Sequence, residues 1–261
     1  MTLFLHEIKR NKLSLIIWSA AISFMLAVCV FIYPEMQTQM GDISAMFSDM
    51  GAFTDAFGMD QLNFGEFMGY FGIECGNTLG IGGALFAAIV GVSALAKEEK
   101  DKTAEFLLTH PISRVKILTE KLLAVFAQVL ALNIAVAAIT SLSVLAVGVE
   151  ADVGKLALLF LANLLLQLEI AAITFGISAF VVRGGLGLGL GMTLGFYFMN
   201  IISNLTEELE FLKFITPYGY TDGSHIISEG RIEIKFLPVG LALACAAIAM
   251  AYIRYTKKDI T

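Results

Sequence analysis

Apolar residues along this chain gather in six long runs, at about 14–33, 77–96, 122–148, 156–182, 185–202 and 236–253. Each approaches the roughly 20 mostly apolar residues that a helix needs to cross a bilayer core. The third and fourth runs are longer and can tilt or extend past the bilayer. The fifth is short and rich in glycine. The pattern predicts an all-α polytopic membrane protein, six transmembrane helices forming a single domain over residues 1–261.

The stretches between the runs have patterns of their own. Residues 2–12 set Leu3, Phe4, Leu5 and Ile8 against His6, Glu7, Lys9 and Arg10, which predicts an interfacial helix before the first span. The stretch Pro34 to Asn77 carries seven carboxylates and no base. Its Met46, Met50, Phe53 and Phe57 recur at helical spacing and predict short surface helices. Between Ser203 and Lys235, Asn204 to Phe214 predicts an amphipathic helix. TPYGYTDGS then breaks it with Pro217, Gly219 and Gly223.

Composition supports the membrane reading. The chain is 57% hydrophobic and only 15% charged, with mean hydropathy +0.80; soluble domains are about a quarter charged. No basic stripe exists to bind nucleic acid. Cys29, Cys75 and Cys245 share no metal or redox spacing.

Charge orients the spans. Thirteen of the 17 Lys and Arg fall on one side: Lys9, Arg10 and Lys12, six in Lys97–Lys121, Arg183, then Arg254, Lys257 and Lys258. Positive charge resists translocation, so both termini are expected in the cytoplasm, which an even number of spans requires. The basic front and long apolar run of the N-terminus predict a retained first span rather than a cleaved signal peptide. The lack of a transit peptide points to a bacterial plasma membrane.

The stretch KEEKDKTAEFLLTHPISRVKILTEK, Lys97 to Lys121, stands out as a polar island between apolar runs. Glu98, Glu99, Asp101 and Glu105 favour the start of a helix through its dipole. Ala104, Leu107 and Leu108 share a face, and Pro111 stops it before Arg114 and Lys116. Such a helix suits a groove on a soluble partner; an ordinary solvated loop with one helical turn fits the same residues.

These residues resemble the cytoplasmic loop of ABC-2 type transporter permeases. The family pattern runs E-E, G-T-x-E-x-L-L, P-x-S-R, then K. Glu98-Glu99, Thr103, Glu105, Leu107-Leu108, Pro111, Ser113-Arg114 and Lys121 match it, with Lys102 where many members have Gly. Tyr33-Pro34, LKFITPYGY at 212–220 and YTKKDI at 255–260 resemble further family landmarks in the same order.

The resemblance implies a six-span permease with an N-terminal elbow helix. A coupling helix at about 98–109 would sit in a cleft of a separate ATPase, through Glu98, Glu99, Thr103, Glu105, Leu107, Leu108, His110, Pro111 and Arg114. Two ATPase subunits and a second permease, a copy or a homologue, would complete the transporter. No G-x-x-x-x-G-K-[ST] phosphate loop occurs in the chain. The chain is therefore expected to be no enzyme and to hold no cofactor, with ATP and Mg in the partner ATPase.

Within the spans, Gly187, Gly191 and Gly195 repeat every fourth residue, as do Gly72, Gly76 and Gly80. Such ridges let helices approach closely in lipid. They are expected to pack inside one bundle, a subunit interface being the alternative. Glu169, beside Gln167, is the one ionisable group expected at bilayer depth, as polar glue with Gln128 or Asn133 or as part of a transport pathway. Six methionines near the first outer loop lack the His or Cys company of a copper site.

An ATP-driven exporter of an antibiotic, peptide, lipid or ion is the function these features support. The alternatives are a secondary transporter, which wants internal repeats, or an assembly subunit without transport. An intramembrane enzyme wants a second catalytic group beside Glu169.

Overall fold

The computed structural model describes residues 2–38, 66–100, 112–181 and 185–257. Most of these residues are helical, with no strand among them. Helix α1 spans Thr2–Thr38. Helix α2 (Phe67–Cys75) continues through a π-helical turn at Gly76–Ile81 into α3 (Gly82–Lys100). Then come α4 (Arg114–Val147), α5 (Val153–Ser178) and α6 (Gly185–Ser203). A 3₁₀ helix at Glu207–Phe214, the short α7 (Gly223–Glu229) and a 3₁₀ turn at Ile234–Phe236 lead into α8 (Leu237–Lys257).

Among the described residues, six segments are long and apolar enough to cross a membrane: Leu3–Thr38, Phe67–Lys97, Arg114–Val147, Val153–Ser178, Gly185–Ser203 and Ile234–Lys257. Helices are the economical solution, because a backbone in lipid must satisfy its own hydrogen bonds. Large apolar side chains such as Leu13, Phe24, Leu130, Leu142 and Phe198 point outward and exposed. That surface needs lipid, not water, around it.

The helix ends are written locally. Ser113 accepts a hydrogen bond from the Lys116 amide and starts α4; Gly148, at φ 75°, ends it. Asp152 accepts from the Gly154 and Lys155 amides and starts α5. Such caps contribute about 1 kcal/mol each.

Helices α3 and α5 form the centre of the bundle, cushioned by glycine. A side chain at Gly83 would collide with Gln167, and one at Gly91 with Thr174 and the Ala171 carbonyl. Helix α8 packs parallel to α5: Gly240 meets Glu169, and about two turns on, Gly176 meets Ala247. Because Gly240 lies only one turn into α8, that helix starts part-way down α5. The connector 204–236 fills the space above it. Thr216 donates to the Phe196 carbonyl at 2.9 Å, and Gly223 abuts the Gly72 carbonyl. The connector is thus folded back into the bundle.

Several boundaries differ from the sequence expectation. Residues 2–12 are not a separate elbow helix but the unbroken start of α1. No Pro or Gly interrupts them, and their inward face is tied to α4, as described below. Pro34 lies inside α1, four residues before its end, and leaves the Val30 carbonyl without its helical amide partner. The second span begins at Phe67 rather than Asn77, so Glu74 belongs to a helix and not to a loop. In place of an α-helix over 204–214, Glu207–Phe214 forms a 3₁₀ helix. The surface helices expected around Met46, Met50, Phe53 and Phe57 lie outside the described residues.

Candidate functional site

Two polar regions stand out in an otherwise apolar bundle. The first lies where α1, α3, α4 and α8 come together. Lys121 is 1% exposed. Its ammonium donates to Glu7 at 2.9 Å and to the Ala94 carbonyl at 2.7 Å. Arg10 donates to the other Glu7 oxygen at 2.7 Å. Burying these charges is tolerable only because they pair and are hydrogen-bonded. One turn away, Glu120 accepts from the Leu3 and Phe4 amides, both at 3.1 Å. Those amides belong to the first turn of α1, where a carboxylate complements the helix dipole.

Arg114 closes the ring on the other side. Its guanidinium donates to the Tyr255 and Thr256 carbonyls at 3.3 and 3.2 Å, at the C-terminal end of α8. Thr119 and Tyr252 share a hydrogen bond of 2.8 Å between the same two helices. Glu98 and Glu99 continue the backbone of α3 rather than opening a separate helix. Thr103, Glu105, Leu107, Leu108, His110 and Pro111 lie outside the described residues. The coupling helix expected at about 98–109 thus falls largely outside the described residues.

The second region lies at mid-bundle. Asn133 donates to Gln167 at 2.7 Å, and Gln167 donates to the Leu79 carbonyl at 3.2 Å. Leu79 sits in the π-helical turn, which leaves its carbonyl able to accept from outside its own helix. The chain Asn133–Gln167–Leu79 links α4, α5 and the second span. Gln128 turns instead to its own helix, donating to the Ala124 carbonyl at 2.9 Å.

Glu169 is 3% exposed and joins none of these bonds. Gly240 of α8 presses against its carboxylate, and the Tyr220 phenol faces it from the connector. The two interact electrostatically, yet neither carboxylate oxygen nor the phenol hydroxyl completes a hydrogen bond among the described residues. Burial, then the nearby Glu169 charge, holds the Tyr220 phenol above its ordinary range, so it stays protonated. The expected pairing of Glu169 with Gln128 or Asn133 is replaced by this contact with α8 and the connector.

The glycine expectation holds for Gly72, which packs on Ile227 and the Gly223 carbonyl, and for Gly80, which packs on Asn163, but it inverts for α6. Gly187, Gly191 and Gly195 would each meet nothing if given a side chain, so this ridge of α6 is open. Its neighbours Gly185 and Gly189 pack on Val92. The ridge is thus not the internal packing surface; Gly83, Gly91, Gly176 and Gly240 are.

The model of the ABC-2 family transporter proteins matches residues 1–260. The chain belongs to this family. It is a multi-pass membrane protein and the permease component of an ABC transporter, not itself the ATPase. No curated protein matches the chain.

In this ABC-2 permease, sequence reasoning missed the Glu7–Lys121 pair and Glu74. By sequence Lys121 reads as one more charge of the polar island 97–121. Glu74 reads by sequence as a loop residue because Asn77 and four glycines, Gly72, Gly76, Gly80 and Gly82, obscure where the second span begins. It is partly buried, and Cys29 donates its weak S–H to it at 3.8 Å. Glu169 is therefore not the one buried ionisable group.

Proposed function

We propose that this chain is the membrane half of an ATP-driven exporter in a bacterial plasma membrane, with both termini cytoplasmic. The segment 98–114 docks on a separate ATPase that holds ATP and Mg. Two ATPases and two permeases form the working unit, and the substrate leaves along their shared interface. The observation that carries this reading is the cross-tied ring of helix ends. Lys121, Glu120 and Arg114 bind α4 to α1, α3 and α8 immediately beside the docking segment. A displacement of that segment passes into four helices through charge-assisted bonds rather than a loose loop.

The same logic gives the mid-bundle groups a role. A motion of α4 and α8 shifts α5 between them, and Glu169 and Gln167 lie on α5. An unsatisfied carboxylate at this depth favours a transport pathway over simple glue. ATP moves the bundle only if it binds one arrangement better than another. The open ridge Gly187, Gly191 and Gly195 suits close approach of a second permease.

The test is gentle-detergent purification of the tagged chain, followed by mass spectrometry and an ATPase assay. A nucleotide-binding subunit should co-purify and be lost with Glu105→Lys and Leu108→Asp, while the permease itself stays folded. If only this chain is recovered, with no ATPase activity, a secondary transporter or an assembly subunit replaces the exporter reading.

A further inference from the structure

A cavity of about 60 Å³ opens between the π-helical turn, the last turn of α6 and the stretch that leads into α7. No Lys, Arg or His lines it, and Asp222 is its one carboxylate. Asp222 uses a single oxygen, Oδ1, to accept from the Ser224 amide at 3.0 Å and the Ser224 hydroxyl at 2.6 Å. Its Oδ2 has no partner among the described residues. The Asn77 side-chain oxygen accepts from the Tyr197 hydroxyl at 3.1 Å, which leaves it a second lone pair.

Two more residues that line the cavity carry a buried oxygen with no partner among the described residues: Asn200 at Oδ1 and Tyr218 at its hydroxyl. Tyr218 is only 3% exposed, and its ring is held edge-on to Tyr197 at 5.5 Å. Burial, with Tyr197 adding to it, keeps its phenol protonated, so its oxygen offers lone pairs and no negative charge. Buried oxygens without partners are rare and call for an occupant.

The wall chooses the occupant. An anion would face a carboxylate with no base to offset it. An apolar group would leave every oxygen dry. A divalent ion usually takes more than one carboxylate. A single positive charge balances a single carboxylate, and neutral oxygens complete its shell. The volume exceeds the share of one water, roughly 30 Å³, which leaves room for an ion with a water or for a small alkylammonium.

We propose that this cavity binds a small monovalent cation through Asp222 and the side-chain oxygens of Asn77, Asn200 and Tyr218. A free inorganic ion and the ammonium group of a larger molecule share this chemistry. The inference stands on the cavity itself and does not depend on the exporter reading.

The experiment measures thermal unfolding of the full chain in detergent at constant ionic strength. Sodium, potassium, ammonium and methylammonium chlorides each replace N-methylglucamine chloride stepwise. Two variants accompany the natural chain. Asp222→Asn removes the charge but keeps a residue suited to cap α7. Tyr218→Phe removes a hydroxyl that makes no hydrogen bond among the described residues, so folding should survive, and it carries the test alone if Asp222→Asn unfolds.

A saturating rise in Tm with at least one cation is expected, because a ligand that binds only the folded state stabilises it by mass action. The apparent affinity should weaken about tenfold or more in Tyr218→Phe, and the rise should vanish in Asp222→Asn. A rise with the inorganic ions identifies a free ion; a rise with methylammonium alone identifies the head of a larger molecule. No cation-specific rise, or an unchanged rise in both variants, overturns the proposal.

Discussion

Lys121 and Glu7 lie 114 positions apart in sequence and 2.9 Å apart in space, both buried. Their contact fixes the first turns of α1 against α4, close to the N-terminal end of α4 at Arg114. Replacing Lys121 with Met strands the Glu7 carboxylate with Arg10 alone. The expected loss is about 3–5 kcal/mol, the usual cost of breaking a buried pair from one side. The double variant Glu7→Leu with Lys121→Met should recover much of it. Thermal unfolding in detergent checks both; equal stability of the single and double variants would contradict a buried pair.

Gly240 exists to make room for Glu169. Gly240→Ala places a methyl against the carboxylate and forces that side chain to move. Overpacking of this kind costs about 1–3 kcal/mol. In a Glu169→Ala background the cost should largely disappear. A double-mutant cycle on unfolding midpoints measures the coupling, and additive effects would dissolve the contact.

Glu169→Gln should fold normally, since no hydrogen bond among the described residues depends on the charge. Export by reconstituted transporter should fall by at least about tenfold, a loss equivalent to about 1.4 kcal/mol. Undiminished export would return Glu169 to a structural role.

The two sets of glycines should respond oppositely. Gly176→Ala meets the Ala247 side chain and carbonyl, both at 2.7 Å, and should cost about 1–3 kcal/mol. Gly191→Ala meets nothing and should be neutral or stabilising by up to about 1 kcal/mol through helix propensity. Gly191→Leu should leave the single chain stable but weaken association of two copies, read by light scattering or crosslinking.

Asn133→Leu removes the donor to Gln167 and leaves its carbonyl oxygen buried and dry. A cost of about 1–3 kcal/mol follows. If unfolding is unchanged, the chain from α4 to the π-helical turn contributes nothing to holding these helices together.

Much of this protein was legible in its residues. The six apolar runs and the helices they form follow from the cost of bare backbone in lipid. The residues from Glu98 to Lys121 pointed to the ABC-2 family, and the match over residues 1–260 agrees. Glu169 declared itself by its chemistry alone, a carboxylate in an apolar run. The ends of the elements were less legible, because helices here outrun their apolar cores: α1 begins at Thr2 and the second span at Phe67.

What the tertiary structure alone decided is which faces meet. In water, an apolar stripe marks the buried side of a helix. In a bilayer both sides are apolar, so the pattern does not separate Gly83 and Gly91, which pack, from Gly187 and Gly191, which do not. Nor does it foretell that Lys121 finds Glu7, or that the connector carries Tyr220 to Glu169. Those partners are set by helix placement, through contacts between residues far apart in the chain. Hydropathy determines that a segment crosses; only packing determines what it touches on the way.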